Sequence, residues 1–138
     1  MSDEAVPMTS HGGCLCGKVR YTVCGEPKKR FICHCINCKR FSGSAFLDIA
    51  FFQPEQFTLE SGKEYLKDYI DEETRSGNPL KCSFCSECGS SLTLSKDNDE
   101  MVLVNCGTFD GKIAWGITGE VFDDMRRAYL VPFRTGSE

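Results

Sequence analysis

No apolar run in this 138-residue chain approaches the roughly 18 residues that a membrane-spanning helix needs, so no such helix is expected. Positive charge is not in excess either: 16 Lys and Arg stand against 20 Asp and Glu, for a net charge of −4. Affinity for nucleic acid rests on neutralised phosphates, so nucleic acid is a poor expected partner. Thiolate-bound metal would make the balance more negative still. Helical periodicity over three turns is missing, and so are internal repeats and low-complexity tracts, which sets aside helical bundles and solenoids. The opening residues Met1-Ser2-Asp3-Glu4-Ala5-Val6-Pro7 are acidic and polar, unlike a secretory signal. A cytoplasmic, reducing setting is therefore expected, in which cysteines remain thiols or bind metal.

What the chain does have is cysteine, ten in all. Hydrophobic residues at 41% and charged residues at 26% describe an ordinary globular protein, and the length suits one domain. A secreted disulfide scaffold would also explain many cysteines, but seven of the ten lie in clusters too tight to bridge within themselves. These are Cys14-Leu15-Cys16, Cys33-His34-Cys35-Ile36-Asn37-Cys38 and Cys85-Ser86-Glu87-Cys88. Thiols at this spacing turn their sulfurs into a common volume, where tetrahedral zinc takes them at about 2.3 Å.

Between the clusters the chain reads as short strands. Val19, Tyr21 and Val23 alternate with Arg20 and Thr22, the mark of a half-buried strand over 19–24 closed by Gly25 and Pro27. Further strands are expected over 44–52, 57–59, 65–70, 90–95 and 101–106, each fenced by Gly, Asn, Asp or Pro. Phe31 and Ile32 lead into the middle cluster. Short helical pieces fit 37–42, 54–57 and 123–128, a polar loop fits 71–79, and a turn fits 96–99. The expected architecture is all-β or β-rich. Residues 1–11 are read as a disordered lead-in, 12–133 as a single zinc-binding domain and 134–138 as a polar tail.

Cys85-x-x-Cys88 followed by Gly89 is half of a zinc knuckle, with the glycine turning the backbone so that its amides face the sulfurs. It also fits a redox pair, but such a pair usually opens a helix beside a parallel strand, and no such unit is visible. Either other cluster can complete it. Pairing it with Cys14 and Cys16 gives four ligands and a closed, structural site, and leaves Cys33, Cys35 and Cys38 as a three-ligand group. A three-ligand ion keeps a position for chemistry. The alternative is a second structural ion completed by a fourth protein ligand: Cys106 first, then Cys24, Cys82 or His11. Packing roles suit Cys24, Cys82 and Cys106 as well. His34 is expected to be an outward polar filler or a donor to the backbone, with a proton shuttle as the other possibility. The basic run Lys28-Lys29-Arg30, with Lys39-Arg40 nearby, is either a small-anion patch or a solvated turn.

With these residues assembled, the chain resembles the glutathione-dependent formaldehyde-activating enzyme family, which includes centromere protein V-like proteins. The resemblance runs through Gly13-Cys14-x-Cys16-Gly17-x-Val19-x-Tyr21 and Cys33-His34-Cys35-x-x-Cys38-x-Arg40-x-Ser42-Gly43-Ser44. It continues in Phe84-Cys85-x-x-Cys88-Gly89-Ser90 and Gly107-Thr108-Phe109-Asp110. It implies several small antiparallel sheets, described as a β-tent, stapled by zinc. It implies two Zn²⁺ per chain: a structural ion on Cys14, Cys16, Cys85 and Cys88, and one with an open coordination position on Cys33, Cys35 and Cys38. It also implies glutathione, or a similar thiol, as the small-molecule partner. The expected activity is that of a zinc-dependent carbon–sulfur lyase or synthase, acting on thiol adducts of a small aldehyde or electrophile. The alternative is a non-catalytic zinc scaffold. Arg40, Ser42 and Ser44 are the candidate substrate-binding residues, with Lys39 a second cation for glutathione's carboxylates. Two positions depart from the family: Tyr129 stands where a Trp is common, and Cys82 where members often carry Arg, an absence that implies altered anion recognition and a different substrate.

Overall fold

A computed structural model describes residues 8–96 and 101–136. Ten strands, one α-helix and four 3-10 turns make up the described fold. The strands are β1 (Thr9–Gly13), β2 (Arg20–Cys24), β3 (Lys29–Cys33), β4 (Leu47–Phe52), β5 (Phe57–Ser61), β6 (Leu66–Asp71), β7 (Leu80–Cys85), β8 (Ser91–Lys96), β9 (Val102–Asn105) and β10 (Gly119–Val121). Helix α1 (Ile36–Ser42) follows β3. The strands form two sheets: a three-stranded one in the order β1-β2-β5 and a seven-stranded one in the order β10-β3-β4-β9-β8-β7-β6. The β-rich expectation holds, with one exception to antiparallel pairing: β10 runs parallel to β3.

Alternation places the side chains. In and beside β2, Val19, Tyr21 and Val23 are buried, while Arg20 and Thr22 are half-exposed, as their spacing predicts. In β4 the two faces bury different cores. Leu47 and Ile49 join the sulfurs of Cys33, Cys35 and Cys38 with Cys82 and Leu94, whereas Ala50 and Phe52 join Val104, Phe109 and Trp115. The second core is aromatic: the Trp115 ring meets Phe52 at 5.5 Å and Phe109 at 5.2 Å, both edge to face. Tyr21 reaches across to bond Thr108 through their hydroxyls at 2.6 Å.

Several boundaries differ from the sequence reading. The lead-in expected to residue 11 is shorter, because Thr9–Gly13 pairs with β2 in register from Thr9 opposite Cys24 to Gly13 opposite Arg20. Its His and Gly residues carry no apolar alternation, so only pairing makes it a strand. Residues 1–7 lie outside the described residues, as do 97–99 of the expected turn. The expected helix over 123–128 is a single 3-10 turn, Asp123–Met125. The expected polar tail is bonded in part to the domain, the Gly136 amide donating to the Ile117 carbonyl at 3.0 Å. The described residues contain no helix long and apolar enough to cross a membrane.

Candidate metal centres and adjoining cleft

The first cluster forms where two turns meet. Cys14 and Cys16 sit in the β1–β2 connection, Cys85 ends β7, and Cys88 lies in the turn before β8. Their four sulfurs lie within 4.8 Å of one another. Backbone amides surround them: Val19 N–H donates to Cys14 Sγ at 3.3 Å, Glu87 N–H to Cys85 Sγ at 3.4 Å and Cys16 N–H to Cys88 Sγ at 3.5 Å. Gly89 makes this possible, standing at φ +80° with its amide on the Cys85 carbonyl at 2.7 Å. The Ser90 hydroxyl, 3.2 Å from Cys88 Sγ, holds that thiol down at about 5. Amide donors around clustered thiolates are the surroundings of a soft divalent cation, so this donor set fits zinc.

The middle cluster is built by a strand running into a helix. Cys33 ends β3, Cys35 caps α1 with extended backbone, and Cys38 lies in the helix's first turn. Cys38 N–H donates to Cys35 Sγ at 3.3 Å, and Cys33 Sγ stands 3.5 Å from Cys35 Sγ. Hydrogen bonds from the Cys33 and Cys38 thiols, with the Cys38 amide, hold the Cys35 thiol far below its ordinary value and favour its thiolate. All three residues are buried, and their sulfurs too lie within 4.8 Å of one another. No fourth Cys, His, Asp or Glu donor joins the group among the described residues. This set of three also fits a thiophilic cation.

The fourth-ligand candidates separate. Cys106 is buried in the aromatic core near Asp48 and Arg30, Cys24 is exposed at the end of β2, and His11 is exposed in β1. Cys82 alone shares the middle cluster's core and lines the same pocket, because Cys82 and the cluster face one side of the long sheet. Sequence reasoning ranked Cys106 first, since nothing local tells which face of a sheet a strand end will meet.

His34 departs from its expected role. It is fully buried, and Nε2 lies 2.6 Å from Glu120 Oε1. Glu120 is a hub: it also accepts from Arg126 Nη2 at 3.2 Å and from Phe133 N–H at 2.7 Å. Burial alone would raise the Glu120 carboxyl, but these bonds outweigh it and hold the group below the usual carboxylate range. The basic run is divided: Lys28 and Lys29 are exposed, and Arg30 is not. Arg30 is buried in a two-pronged pair with Asp48 at 2.7 and 2.8 Å, and Lys29 lies over the Phe31 and Phe51 rings. Lys39, expected near a ligand carboxylate, is buried with Nζ donating to the Met125 carbonyl at 2.8 Å.

The remaining candidates lie beside the cluster rather than on it. A small pocket of about 160 Å³ opens on Cys33, Cys35 and Cys38. Next to it is a space of about 500 Å³ sharing Asn37, Asp71 and Cys82 with the first, and beyond that a cleft of about 1300 Å³. Phe41 borders all three, and Arg40 borders the outer two. Ser42 and Ser44 line only the large cleft. Ser42 Oγ already donates to the carbonyls of Lys39 and Phe46, at 3.3 and 3.1 Å, which closes the turn after α1.

The profile of the glutathione-dependent formaldehyde-activating enzyme family matches residues 9–124. The chain belongs to this family. The matched span takes in both cysteine groups and every strand from β1 to β10. Among curated proteins none matches the chain. A crystal structure of a Rhodobacter sphaeroides protein, a structural-genomics target, superposes with a TM-score of 0.58 at 25% identity, covering 75% of this chain and 90% of that one. In this chain the three-cysteine group is buried behind a mostly apolar pocket, with Cys82 on its wall.

Proposed function

We propose that the protein makes or breaks a carbon–sulfur bond between glutathione, or a similar thiol, and a small aldehyde or electrophile. One observation carries this reading: three buried sulfurs gathered at a pocket, with no fourth donor joining them among the described residues. Cys33, Cys35 and Cys38 would hold the reactive zinc, and Cys14, Cys16, Cys85 and Cys88 a structural one. The ion's contribution is Lewis acidity, which keeps an incoming sulfur as thiolate near neutral pH. A reducing cytoplasmic setting keeps these thiols unoxidised.

The chain's own residues do the rest. The Cys38 amide fixes the Cys35 sulfur, and the Glu120–His34 bond pins the backbone between Cys33 and Cys35 from behind. The mostly apolar walls offer water few partners beside the sulfurs, which would strengthen the attraction between charges there. Arg40 stands exposed between the outer two spaces, where it can meet a carboxylate of a peptide thiol whose sulfur reaches inward past Phe41. Ser42 and Ser44 would line the path of the peptide's outer end. The thiolate adds to the carbonyl carbon as the C=O electron pair moves onto oxygen. That oxygen takes up a proton equivalent to the one the thiol released.

Zinc content and glutathione titration test the reading together. Two zinc ions per chain and a binding heat with glutathione are expected. Cys35→Ser should bring carbon–sulfur turnover to background and remove one ion, while far-ultraviolet circular dichroism stays that of a folded β protein. A fully active Cys35→Ser protein would refute the reading. Two ions with no glutathione heat would favour the closed scaffold.

A further inference from the structure

The thiol-activation reading leaves the other reactant open, and the pocket beside the three cysteines bears on it. Its apolar walls include Ile49, Phe51, Leu94, Leu103, Val121 and Phe122, drawn from four strands and the residue after β10, while Asn37, Asp71, Thr74, Arg75 and Ser76 also line it. Its volume is about 160 Å³. An apolar cavity of roughly 150 Å³ takes up a benzene-sized guest and otherwise stays dry, whereas one water's share of liquid is about 30 Å³. Beside a metal ion and the incoming sulfur, a one-carbon aldehyde would still leave part of this space empty or wet against hydrocarbon.

Polar groups stand at the pocket's rim and are already engaged. Asn37 Nδ2 donates to Asp71 Oδ2 at 2.7 Å, and Arg75 lies over the Phe122 ring at 4.6 Å while bonding Asp124 at 2.8 Å. Phe122 is held there at φ +54°, in the left-handed region that a bulky residue seldom adopts. This side of the pocket thus pairs the Phe122 ring with a guanidinium stacked on it, and its polar groups are bonded in part to one another and to Asp124.

We infer that the electrophile joined to the thiol carries an apolar group of about four to six carbon atoms, seated in the pocket before Cys33, Cys35 and Cys38. The substrate class is thus an alkyl or aryl aldehyde or the matching thiol adduct. The reaction balances without an oxidant: the S–C bond forms, the C=O π bond opens, and the proton lost from sulfur is matched by the one gained on oxygen. This inference rests on the proposed thiol activation and is separable from it by experiment.

Zinc-loaded protein is titrated by calorimetry with glutathione, ethanethiol, butanethiol and hexanethiol. Turnover is then followed with glutathione plus formaldehyde, butanal or hexanal. Each methylene up to about four carbons should tighten binding by about threefold to fourfold. Butanal should exceed formaldehyde in kcat/KM by at least about tenfold, the effect of two well-buried methylenes. Leu103→Phe, which narrows the pocket from β9, should flatten the chain-length series. Should that variant fold poorly, the wild-type series decides alone. Binding affinities that do not change with chain length, or turnover that peaks at formaldehyde, overturn this inference and leave thiol activation standing. No heat with any of the four thiols overturns both.

Discussion

Cys35 serves two purposes at one position: its extended backbone ends β3's run into the helix, and its sulfur is both the helix cap and a member of the three-sulfur group. Behind it, fully buried His34 bonds the half-buried Glu120, so replacing the carboxylate by an amide leaves the ring a neutral, weaker partner. Glu120→Gln should cost about 1–3 kcal/mol, read from urea unfolding at pH 7. The sign of its pH dependence follows from the lowered Glu120 carboxyl. A group whose folded value is depressed stabilises fully above its unfolded value, about 4.3 for Glu, and loses that contribution as pH falls through the folded value. The gap between wild type and Glu120→Gln should therefore be largest at neutral pH and shrink below about pH 4. Gly12 is constrained differently. A Cβ there would fall 2.6 Å from the Thr108 carbonyl oxygen and still closer to the Tyr21 ring. Gly12→Ala should destabilise by about 1–3 kcal/mol, measured in the same way.

At the scale of elements, α1 is too short to stand by itself and is held by what surrounds it. Gly43 ends it at φ +66° with its amide on the Lys39 carbonyl, and buried Lys39 ties it to Met125. The first cluster acts between elements. It joins the β1–β2 turn of the small sheet to the β7–β8 turn of the large one, through sulfurs such as Cys16 and Cys85 that are 69 residues apart. The middle cluster, by contrast, lies within one strand and the helix that follows. Loss of the first site should therefore damage the fold more. Cys85→Ser is expected to lower the melting temperature by more than about 10 °C, against a few degrees for Cys35→Ser, in thermal unfolding of zinc-loaded protein. Equal losses would show that the first cluster is not the staple between the sheets.

Over the whole molecule, the long sheet buries an aromatic core on one face and the three-cysteine core on the other. Both metal groups are thiolate sets, so protons compete with metal and affinity falls as pH falls. The three-sulfur group has one protein donor fewer, so acidification from pH 8 toward about pH 5 should release its ion first, followed with a zinc-sensitive dye. Release of both ions at one pH would contradict the difference in coordination.

The strand over 19–24, the clustering of seven cysteines and the turn at Gly89 were legible in the sequence, because each depends on neighbours a few residues apart. Alternation, metal-ligand spacing and a positive φ are local properties. The strand Thr9–Gly13 and the parallel pairing of β10 with β3 were not legible, since a short strand without apolar alternation exists only through its partner. The same reason explains Cys82, His34 and Lys39. Their neighbours come from distant segments, so only tertiary packing decided that Cys82 would face the three-cysteine cluster and Cys106 the other core, that His34 would meet Glu120, and that Lys39 would turn inward to Met125. The sequence by itself set three tight clusters of thiols, and the fold decided that Cys14 and Cys16 meet Cys85 and Cys88. The folded sheets decided which pocket those thiols open on, because a pocket is made of walls that no single stretch of chain contains.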